Sequence, residues 1–205
     1  MPIIENMVQG SPAWLDYRRA HIMATEASII LENNHWKDVL ELYEEKLMMR
    51  PAQEVNAAMA RGSALEPEAR KLACEMIGIK FEPCVFENEA HIWMAASLDG
   101  LSECGKYVLE IKSPNEKSHV MAINGEIPEY YYDQVQHQLA CTKAEMAYYF
   151  SYRPEYEKPH AIVEIRPDQD YIKTMIEKEH QFYKCMCTMC PPTWVFKEKK
   201  KKKYA

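Results

Sequence analysis

Three side chains with the chemistry of a hydrolytic site lie close together in the sequence: Asp99, Glu110 and Lys112. The pattern predicts that Asp99 ends one strand and starts a turn, and that Glu110, eleven positions later, lies with Lys112 in the next strand. Side chains alternate between the two faces of a strand, so Glu110 and Lys112 share one face. Asp99, at the mouth of the neighbouring strand, can meet that face.

This Asp99–Glu110–Lys112 trio has the parts needed to hydrolyse a phosphodiester. Two neighbouring carboxylates repel each other and invite a divalent cation such as Mg²⁺, which prefers oxygen ligands. A bound Mg²⁺ lowers the pKa of a coordinated water and neutralises charge on a phosphoryl oxygen. Lys112 could orient that water or help to deprotonate it. The same residues could also be a turn aspartate and a solvated strand face, which are common in proteins.

The elements that must position the trio follow the order ααα-βββ-α-ββ-α. Apolar residues at three- and four-residue steps predict helices, and short β-rich runs between turn residues predict strands. The predicted helices are 26–34, 36–49, about 65–77, 128–142 and 168–190, and the predicted strands are 80–87, 90–98, 106–112, 146–152 and 160–166. The first three strands form an antiparallel meander. This order predicts an α/β fold with a central mixed β-sheet flanked by helices.

Length and composition limit the class of protein. A chain of 205 residues with 47% apolar and 27% charged residues suits one globular domain and excludes collagen-like or wholly disordered chains. No apolar run approaches the roughly 20 residues that span a bilayer, and the chain does not start with a signal pattern, so we expect a soluble, intracellular protein. The net charge of −6 is uneven, because 197–203 holds six lysines and one glutamate. We predict a single domain over 1–196 and a lysine-rich, disordered tail over 197–205.

Four ordered sequence blocks resemble the lambda-type phage exonucleases, the viral recombinase branch of the PD-(D/E)XK nuclease superfamily. The resemblance extends over about residues 9–166. The blocks are Gly10-Ser11-Pro12-Ala13-Trp14-Leu15-Asp16-Tyr17-Arg18, Arg61-Gly62-Ser63-Ala64-Leu65-Glu66, Leu98-Asp99-Gly100 with Leu109-Glu110-Ile111-Lys112-Ser113-Pro114, and Tyr132-Asp133-Gln134-Val135-Gln136. Their order and spacing agree with the predicted meander, and the resemblance implies a restriction-endonuclease-like core.

The resemblance also implies a role for each residue of the trio. Asp99 and Glu110 would be metal ligands together with the backbone carbonyl of Ile111, and Lys112 would position the nucleophilic water. Glu66, on the third predicted helix, would help to hold a second metal ion, directly or through water. The implied cofactor is a pair of Mg²⁺ ions, for which Mn²⁺ could substitute.

A glutamine from the helix after the meander would complete this site. The resemblance implies that Gln134 touches the water or the scissile phosphate. Gln138 lies four residues later on the same helical face, whereas Gln136 points away. Taken without the resemblance, a glutamine at position 134 would more often be a solvated helix residue.

The N-terminal block implies a place for a DNA end. Arg18 resembles the family arginine that receives the 5′ phosphate of the digested strand, and a guanidinium suits a doubly charged terminal phosphate. Thr25 and Ser28 flank the start of the first predicted helix, where backbone N–H groups attract phosphate. Both residues could instead simply cap that helix.

Together these implied roles describe a Mg²⁺-dependent 5′→3′ exonuclease. It would digest one strand of double-stranded DNA from its ends and leave a 3′ single-stranded overhang for phage-type recombination by single-strand annealing. The implied partners are double-stranded DNA ends, a single-strand annealing protein and two further copies of the chain in a homotrimeric ring, without a membrane. The implied location is the cytoplasm of a bacterial host, with a phage or prophage as the source.

Two other functions stay open at this point. A related endonuclease or an iron–sulfur nuclease is one, because Cys185, Cys187 and Cys190 with Cys74 could hold a cluster, although four ligands with good spacing are not evident and packing thiols are the simpler interpretation. The other is a catalytically inactive nuclease fold that binds DNA or assembles with other proteins. The intact trio argues against inactivity.

Overall fold

A mixed sheet of six strands runs through the centre of the molecule. The computed structural model describes residues 3–4, 7, 10–51 and 56–196. The strands are β1 (Ile22–Met23), β2 (Phe81–Glu87), β3 (Met94–Ser102), β4 (Tyr107–Lys112), β5 (Met146–Tyr152) and β6 (His160–Ile165). They follow the order β1-β3-β4-β5-β6, and β2 pairs with β3 off this path. The pairs β1–β3 and β4–β5 are parallel, and the other pairs are antiparallel.

Helices cover both faces of this sheet. The described α-helices are α1 (Pro12–Ala20), α2 (Ala27–Ile30), α3 (Val39–Lys46), α4 (Ala57–Ile77), α5 (Glu116–Ile123), α6 (Glu129–Thr142) and α7 (Gln169–Thr188). Ala69 and Ala73 of α4 share an apolar cluster with Leu109 of β4. Val108, the neighbour of Leu109, packs instead in the cluster formed with α2, α6 and α7. Both faces of β4 are therefore buried, and the predicted α/β fold with a mixed sheet flanked by helices is confirmed.

Strand β3 departs most from its prediction. The sequence predicts a strand over 90–98 and a turn at Asp99, whereas β3 continues through Asp99 and Gly100 to Ser102. The glycine is needed for close packing, because a Cβ on Gly100 would lie 2.6 Å from the Cβ of Phe81. The turn at Asp99 is therefore a wrong prediction. The other predicted strands agree with β2, β4, β5 and β6 to within one residue at either end.

The first two predicted helices are shorter in the structure. The segment 26–34 becomes the end of a 3₁₀ turn (Ala24–Glu26) followed by α2, which has 4 residues. The segment 36–49 becomes α3, whose start is set by a capping box. In that box the N–H of Glu41 donates to Asp38 and the N–H of Asp38 donates to Glu41.

The remaining helices show what apolar periodicity misses. Helix α4 begins at Ala57, well before its predicted start at residue 65, and it tolerates Pro67 in its interior. Helices α1 and α5 were not predicted, although each follows a capping residue, Ser11 and Asn115, whose side chain accepts a backbone hydrogen bond. Helices α6 and α7 agree closely with their predictions.

Two features concern the limits of the described chain. Among the described residues, none of the helices has both the length and the apolar character of a membrane span. The predicted lysine-rich tail, 197–205, lies outside the described residues, and the single-domain boundary at residue 196 stays a prediction.

Candidate active site

Asp99 lies where two central strands separate. Strand β2 occupies one edge of β3 along most of its length. The opposite edge pairs with β1 near the start of β3 and with β4 only at Gly100 and Leu101. Asp99 comes just before that pairing, so β3 and β4 separate at Asp99.

The carboxylate of Asp99 enters the gap between β3 and β4. Its Oδ2 accepts a hydrogen bond of 2.7 Å from the backbone N–H of Ile111. The N–H and C=O groups of one strand residue point to the same side of the strand. The Ile111 carbonyl therefore faces the same gap, which collects a carboxylate and a backbone oxygen.

Three donors hold the side chain of Glu110, which lies on the face of β4 opposite the side chain of Ile111. It is buried, with 1% of its surface exposed. Lys112 forms an ion pair with its Oε1, and Gln134 Nε2 donates to the same oxygen at 2.6 Å. Gln138, one turn further along α6, donates to Oε2. Because a buried carboxylate needs such partners, Glu110 is fixed in one orientation.

The charges in this site are unbalanced. Burial raises the pKa of Asp99 well above its ordinary value, repulsion from Glu110 adds to the rise, and Lys112 opposes it only in part. Burial by itself would lower the pKa of Lys112, but attraction to Glu110 and Asp99 outweighs burial and raises it. The site therefore holds more negative charge than Lys112 neutralises.

Helix α4 brings a second ion pair to the site. Arg70 pairs with Oε1 of Glu66 one turn earlier, and its Nε donates a 2.6 Å hydrogen bond to the backbone carbonyl of Asp99. The charge of Glu66 contributes to the raised pKa of Asp99. Arg70 was not among the predicted site residues, although its four-residue spacing from Glu66 is the signal of a helical ion pair.

These donors fit a hard divalent cation. Asp99, Glu110 and the Ile111 carbonyl offer oxygen atoms, and a cation would relieve the repulsion between the two carboxylates. Within the described ranges, no three His, Cys, Asp or Glu side chains are grouped as metal ligands, so the set consists of two carboxylates and a backbone oxygen. Glu66 is paired with Arg70 in this conformation, and it adds negative charge to the site. The ligand roles stay predictions.

A second charged cluster surrounds Arg18 at the end of α1. Its Nη2 donates to Thr25 Oγ1 at 3.1 Å and lies 3.9 Å from Oε1 of Glu26. The guanidinium lies 4.6 Å from the centroid of the Trp14 ring. The structure therefore brings two of the predicted DNA-end residues, Arg18 and Thr25, together on one side of the 3₁₀ turn.

Lys46 lies buried beneath Arg18. Its Nζ donates to the backbone carbonyls of Arg18 and His21 at 2.5 and 2.6 Å and pairs with Glu26 Oε2 at 2.7 Å. Burial lowers the pKa of Lys46 despite the attraction of Glu26. Lys46 was not predicted as a functional residue, because nothing in the local sequence marks a helix lysine as buried.

Ser28 makes none of the contacts that join Arg18 to Thr25. It is buried within α2, and its hydroxyl accepts a hydrogen bond of 3.1 Å from Nδ2 of Asn34. Helix α2 has only 4 residues, too few for a strong N-terminal dipole. Ser28 thus supports a loop in this structure.

Gln136, which was predicted to point away, and the cysteines of the alternative cluster lie apart from the site. Gln136, on the other side of α6 from Gln134, donates to the backbone carbonyl of Arg166. Cys74 packs in the α4 cluster on one face of the sheet, whereas Cys185 packs against the cluster on the other face. These two thiols therefore cannot share one iron–sulfur cluster.

Comparisons with known proteins agree on a family. The sequence model of the YqaJ-like viral recombinase domain matches residues 13–145. The uncharacterized protein YqaJ of Bacillus subtilis (strain 168) is 27% identical over an alignment of 194 residues, and the match covers 88% of this chain and 58% of that protein. The chain thus spans little more than half the length of this curated relative.

Solved structures agree on the fold. A crystal structure of LHK-Exo in complex with dAMP has a TM-score of 0.77 and 24% identity, and the match covers 88% of this chain and 94% of that one. A second structure of LHK-Exo, an alkaline exonuclease from Laribacter hongkongensis, has a TM-score of 0.75. A phage-related exonuclease from Haemophilus somnus 129PT has a TM-score of 0.60 and 14% identity, over 86% of this chain and 99% of that one.

Proposed function

Because this chain belongs to the YqaJ-like viral recombinase domain family, we propose that it is a Mg²⁺-dependent 5′→3′ exonuclease. It digests one strand of double-stranded DNA from an end and leaves a 3′ single-stranded overhang. The family description and the alkaline exonuclease fold support the coarser statement, a phage-type nuclease. The oxygen donors around Asp99 support metal-dependent hydrolysis, and the pairing of Arg18 with Thr25 supports a start at 5′ ends.

The single observation that carries the proposal is the convergence of Asp99, Glu110 and Lys112. Asp99 and Glu110, with the Ile111 carbonyl, would hold Mg²⁺, which supplies Lewis-acid chemistry by neutralising charge that develops on the phosphoryl oxygens. Mn²⁺ could substitute, and Glu66 would contribute to a second ion. Two carboxylates that repel each other in a buried gap are otherwise costly to maintain.

The protein's own residues would orient the reaction. Lys112, as an ammonium, aligns the attacking water and offsets negative charge on the phosphate. Gln134 and Gln138 hold Glu110 in place. Gln134 donates to the same Glu110 oxygen that pairs with Lys112, so it is the candidate for a contact with the phosphate or water. Attack of water on phosphorus breaks the P–O3′ bond, the water gives up a proton and the 3′ oxygen takes one up. The released nucleotide carries a 5′ phosphate.

Recognition of the end belongs to Arg18 and Thr25. Their hydrogen bond presents a guanidinium and a hydroxyl on one surface, and a 5′ phosphate carries more charge than an internal phosphodiester. Ser28 would act here only if the loop that holds its hydroxyl rearranged. Selection of a charged end gives a physical reason for exonuclease rather than endonuclease action.

The family also supports the wider biological setting of the proposal. Digestion to a 3′ overhang would feed a single-strand annealing protein in phage-type recombination. A homotrimeric ring around DNA would keep the enzyme on its substrate between cleavage events. The setting would be the cytoplasm of a bacterial host that carries the phage or prophage.

One assay tests the proposed function. Linear duplexes labelled at either end, with a 5′ phosphate or a 5′ hydroxyl, are incubated with Mg²⁺ or with a chelator. We expect metal-dependent release of 5′ mononucleotides, faster from phosphorylated ends. Cuts in closed circular DNA would favour an endonuclease, and DNA binding without any cleavage would favour the inactive nuclease fold.

A further inference from the structure

Trp36 is a large apolar side chain that the structure holds in solvent. It is 68% exposed, although burial of an aromatic ring is among the larger favourable terms in folding. Single exposed apolar residues are common, so exposure by itself carries little weight. The hydrogen bonds that hold this ring in an exposed position are stronger evidence for a role in binding.

The loop between α2 and α3 keeps Trp36 in one position. Asn34 Oδ1 accepts a 2.9 Å hydrogen bond from the backbone N–H of Trp36, and Asn34 Nδ2 donates to Ser28. Asn33 Nδ2 donates to Asp133 on α6 at 3.0 Å, so the loop is tied to the helix that also supports Glu110. The exposure of Trp36 is therefore built into an ordered loop.

A line of aromatic rings connects Trp36 to the candidate active site. The Trp36 ring lies 5.0 Å from the ring of Tyr130, which lies 4.4 Å from that of Tyr131. Lys112 Nζ lies 5.3 Å from the Tyr131 ring. These steps place the Trp36 ring at most about 15 Å from the Lys112 ammonium, the length of about four base-pair steps of DNA.

We propose that Trp36 is a base-stacking site that holds one nucleobase of the DNA substrate within about four nucleotides of the cleaved bond. The choice of DNA as ligand rests on the proposed function. Tyr130 and His35 contact the indole at interplanar angles of 84° and 72°, which fixes its orientation and leaves most of the ring open. Stacking accepts every base, as a nuclease that digests any sequence requires.

Binding assays with a matched control test this proposal. In a Lys112→Ala background, which removes cleavage, the affinity for a 5′-phosphorylated duplex with a 3′ overhang is measured by fluorescence anisotropy. Adding Trp36→Ala should weaken binding about ten-fold, the effect of one lost base stack, and Trp36→Phe should weaken it less. Adding Ile92→Ala, which removes a side chain with the same 68% exposure, should leave affinity within two-fold (roughly the scatter of exposed substitutions).

DNA with a single abasic position locates the contact without a change in the protein. The abasic site is moved one nucleotide at a time along the first positions of each strand. With the abasic site at one of these positions, the DNA should bind the protein that retains Trp36 as weakly as intact DNA binds the Trp36→Ala variant. Combining that abasic DNA with the Trp36→Ala variant should cause no further loss of affinity.

The outcomes separate this proposal from the proposed function. A wild-type protein that cuts no DNA but shows an abasic-sensitive contact at Trp36 would support the stacking site and refute the nuclease. An active nuclease whose Trp36→Ala variant binds DNA as tightly as the Ile92→Ala control would overturn the stacking site. So would a Trp36→Ala variant that changes only the sedimentation of the protein, since the ring would then join copies of the chain.

Discussion

In the part of the chain that the structure describes, Glu110 and Glu26 are buried glutamates that each pair with a lysine, and the surroundings of these two pairs differ. Lys112 pairs with Glu110 and is attracted by a second carboxylate, which raises its pKa. Lys46 pairs with Glu26 and donates to two backbone carbonyls, and burial outweighs the attraction of Glu26 and lowers its pKa. The neighbours of each lysine–glutamate pair therefore shift the pKa of the lysine in opposite directions.

The difference indicates what each region can bind. Around Lys112 the carboxylates of Asp99, Glu110 and Glu66 outnumber the cations Lys112 and Arg70 by one. The Lys46 region has the opposite balance. There the directly paired groups are the cations Arg18 and Lys46 and the carboxylate of Glu26. Glu45, whose charge also acts on Lys46, is balanced by its own pair with Lys37. The first region suits a metal cation and the second suits a phosphate, the two charged partners that DNA hydrolysis from an end requires.

The largest expected effect separates the reactive lysine from a nearby surface lysine. Lys112→Ala should lower kcat for DNA hydrolysis about 1,000-fold while DNA affinity changes little, because its charge acts on the transition state. Lys117→Ala, which removes an exposed lysine on α5, is the control and should retain full activity. Single-turnover digestion and anisotropy measure the two quantities. Equal activity of both variants would mean that Lys112 has only a structural role.

The structural lysine should show its effect in stability. Lys46→Met should lower the free energy of unfolding by about 3 kcal/mol, because it leaves the buried Glu26 carboxylate poorly compensated. Urea denaturation measures the loss, and adding Glu26→Gln should recover part of it. The control is Lys80→Met, whose ion pair with Glu82 is exposed to solvent and should contribute little to stability. Equal losses for the two lysine variants would contradict the comparison.

The phosphate-binding half of the comparison depends on Arg18. Arg18→Ala should reduce the rate on 5′-phosphorylated ends about ten-fold, the effect of one charge-assisted contact, and leave the rate on 5′-hydroxyl ends almost unchanged. Arg19→Ala, which removes the neighbouring arginine of an exposed pair with Asp16, should preserve the preference for phosphate. A uniform loss on both kinds of end would assign Arg18 to general DNA binding.

The smallest effect is on the stability of the metal-free protein. Asp99→Asn should raise Tm by about 3 °C at neutral pH, because it removes a carboxylate that burial and Glu110 destabilise. The pKa of Asp99 is higher in the folded than in the unfolded protein, so the gain should be absent below pH of about 4 and appear as pH rises. Thermal scans across pH measure it, with Asp16→Asn as the exposed control.

Metal provides the matching test of the same carboxylate. Adding Mg²⁺ should raise the Tm of the wild-type protein and have little effect on Asp99→Asn, since binding to the folded state alone is stabilising. A wild-type Tm that does not respond to Mg²⁺ or Mn²⁺ would contradict the cation half of the comparison.

Much of the framework was predictable because it is local. Alternation along β4 places Glu110 and Lys112 on one face, and helical spacing places Gln134 and Gln138 together on α6. The resemblance to lambda-type exonucleases, carried by short motifs, is confirmed at the level of family and fold. Helix boundaries were less predictable. Capping residues such as Asn56 extend or shorten a helix regardless of its apolar stripe.

The sequence by itself determined the residue types of the site, the strand and helix that carry them, and the family. Only the tertiary structure decided that β3 runs through Asp99 and parts from β4 there, that Arg70 reaches Asp99, and that Lys46 is buried under Arg18. The physical reason is that strand pairing, burial and charge balance depend on groups far apart in the chain. Local periodicity therefore carries no record of them.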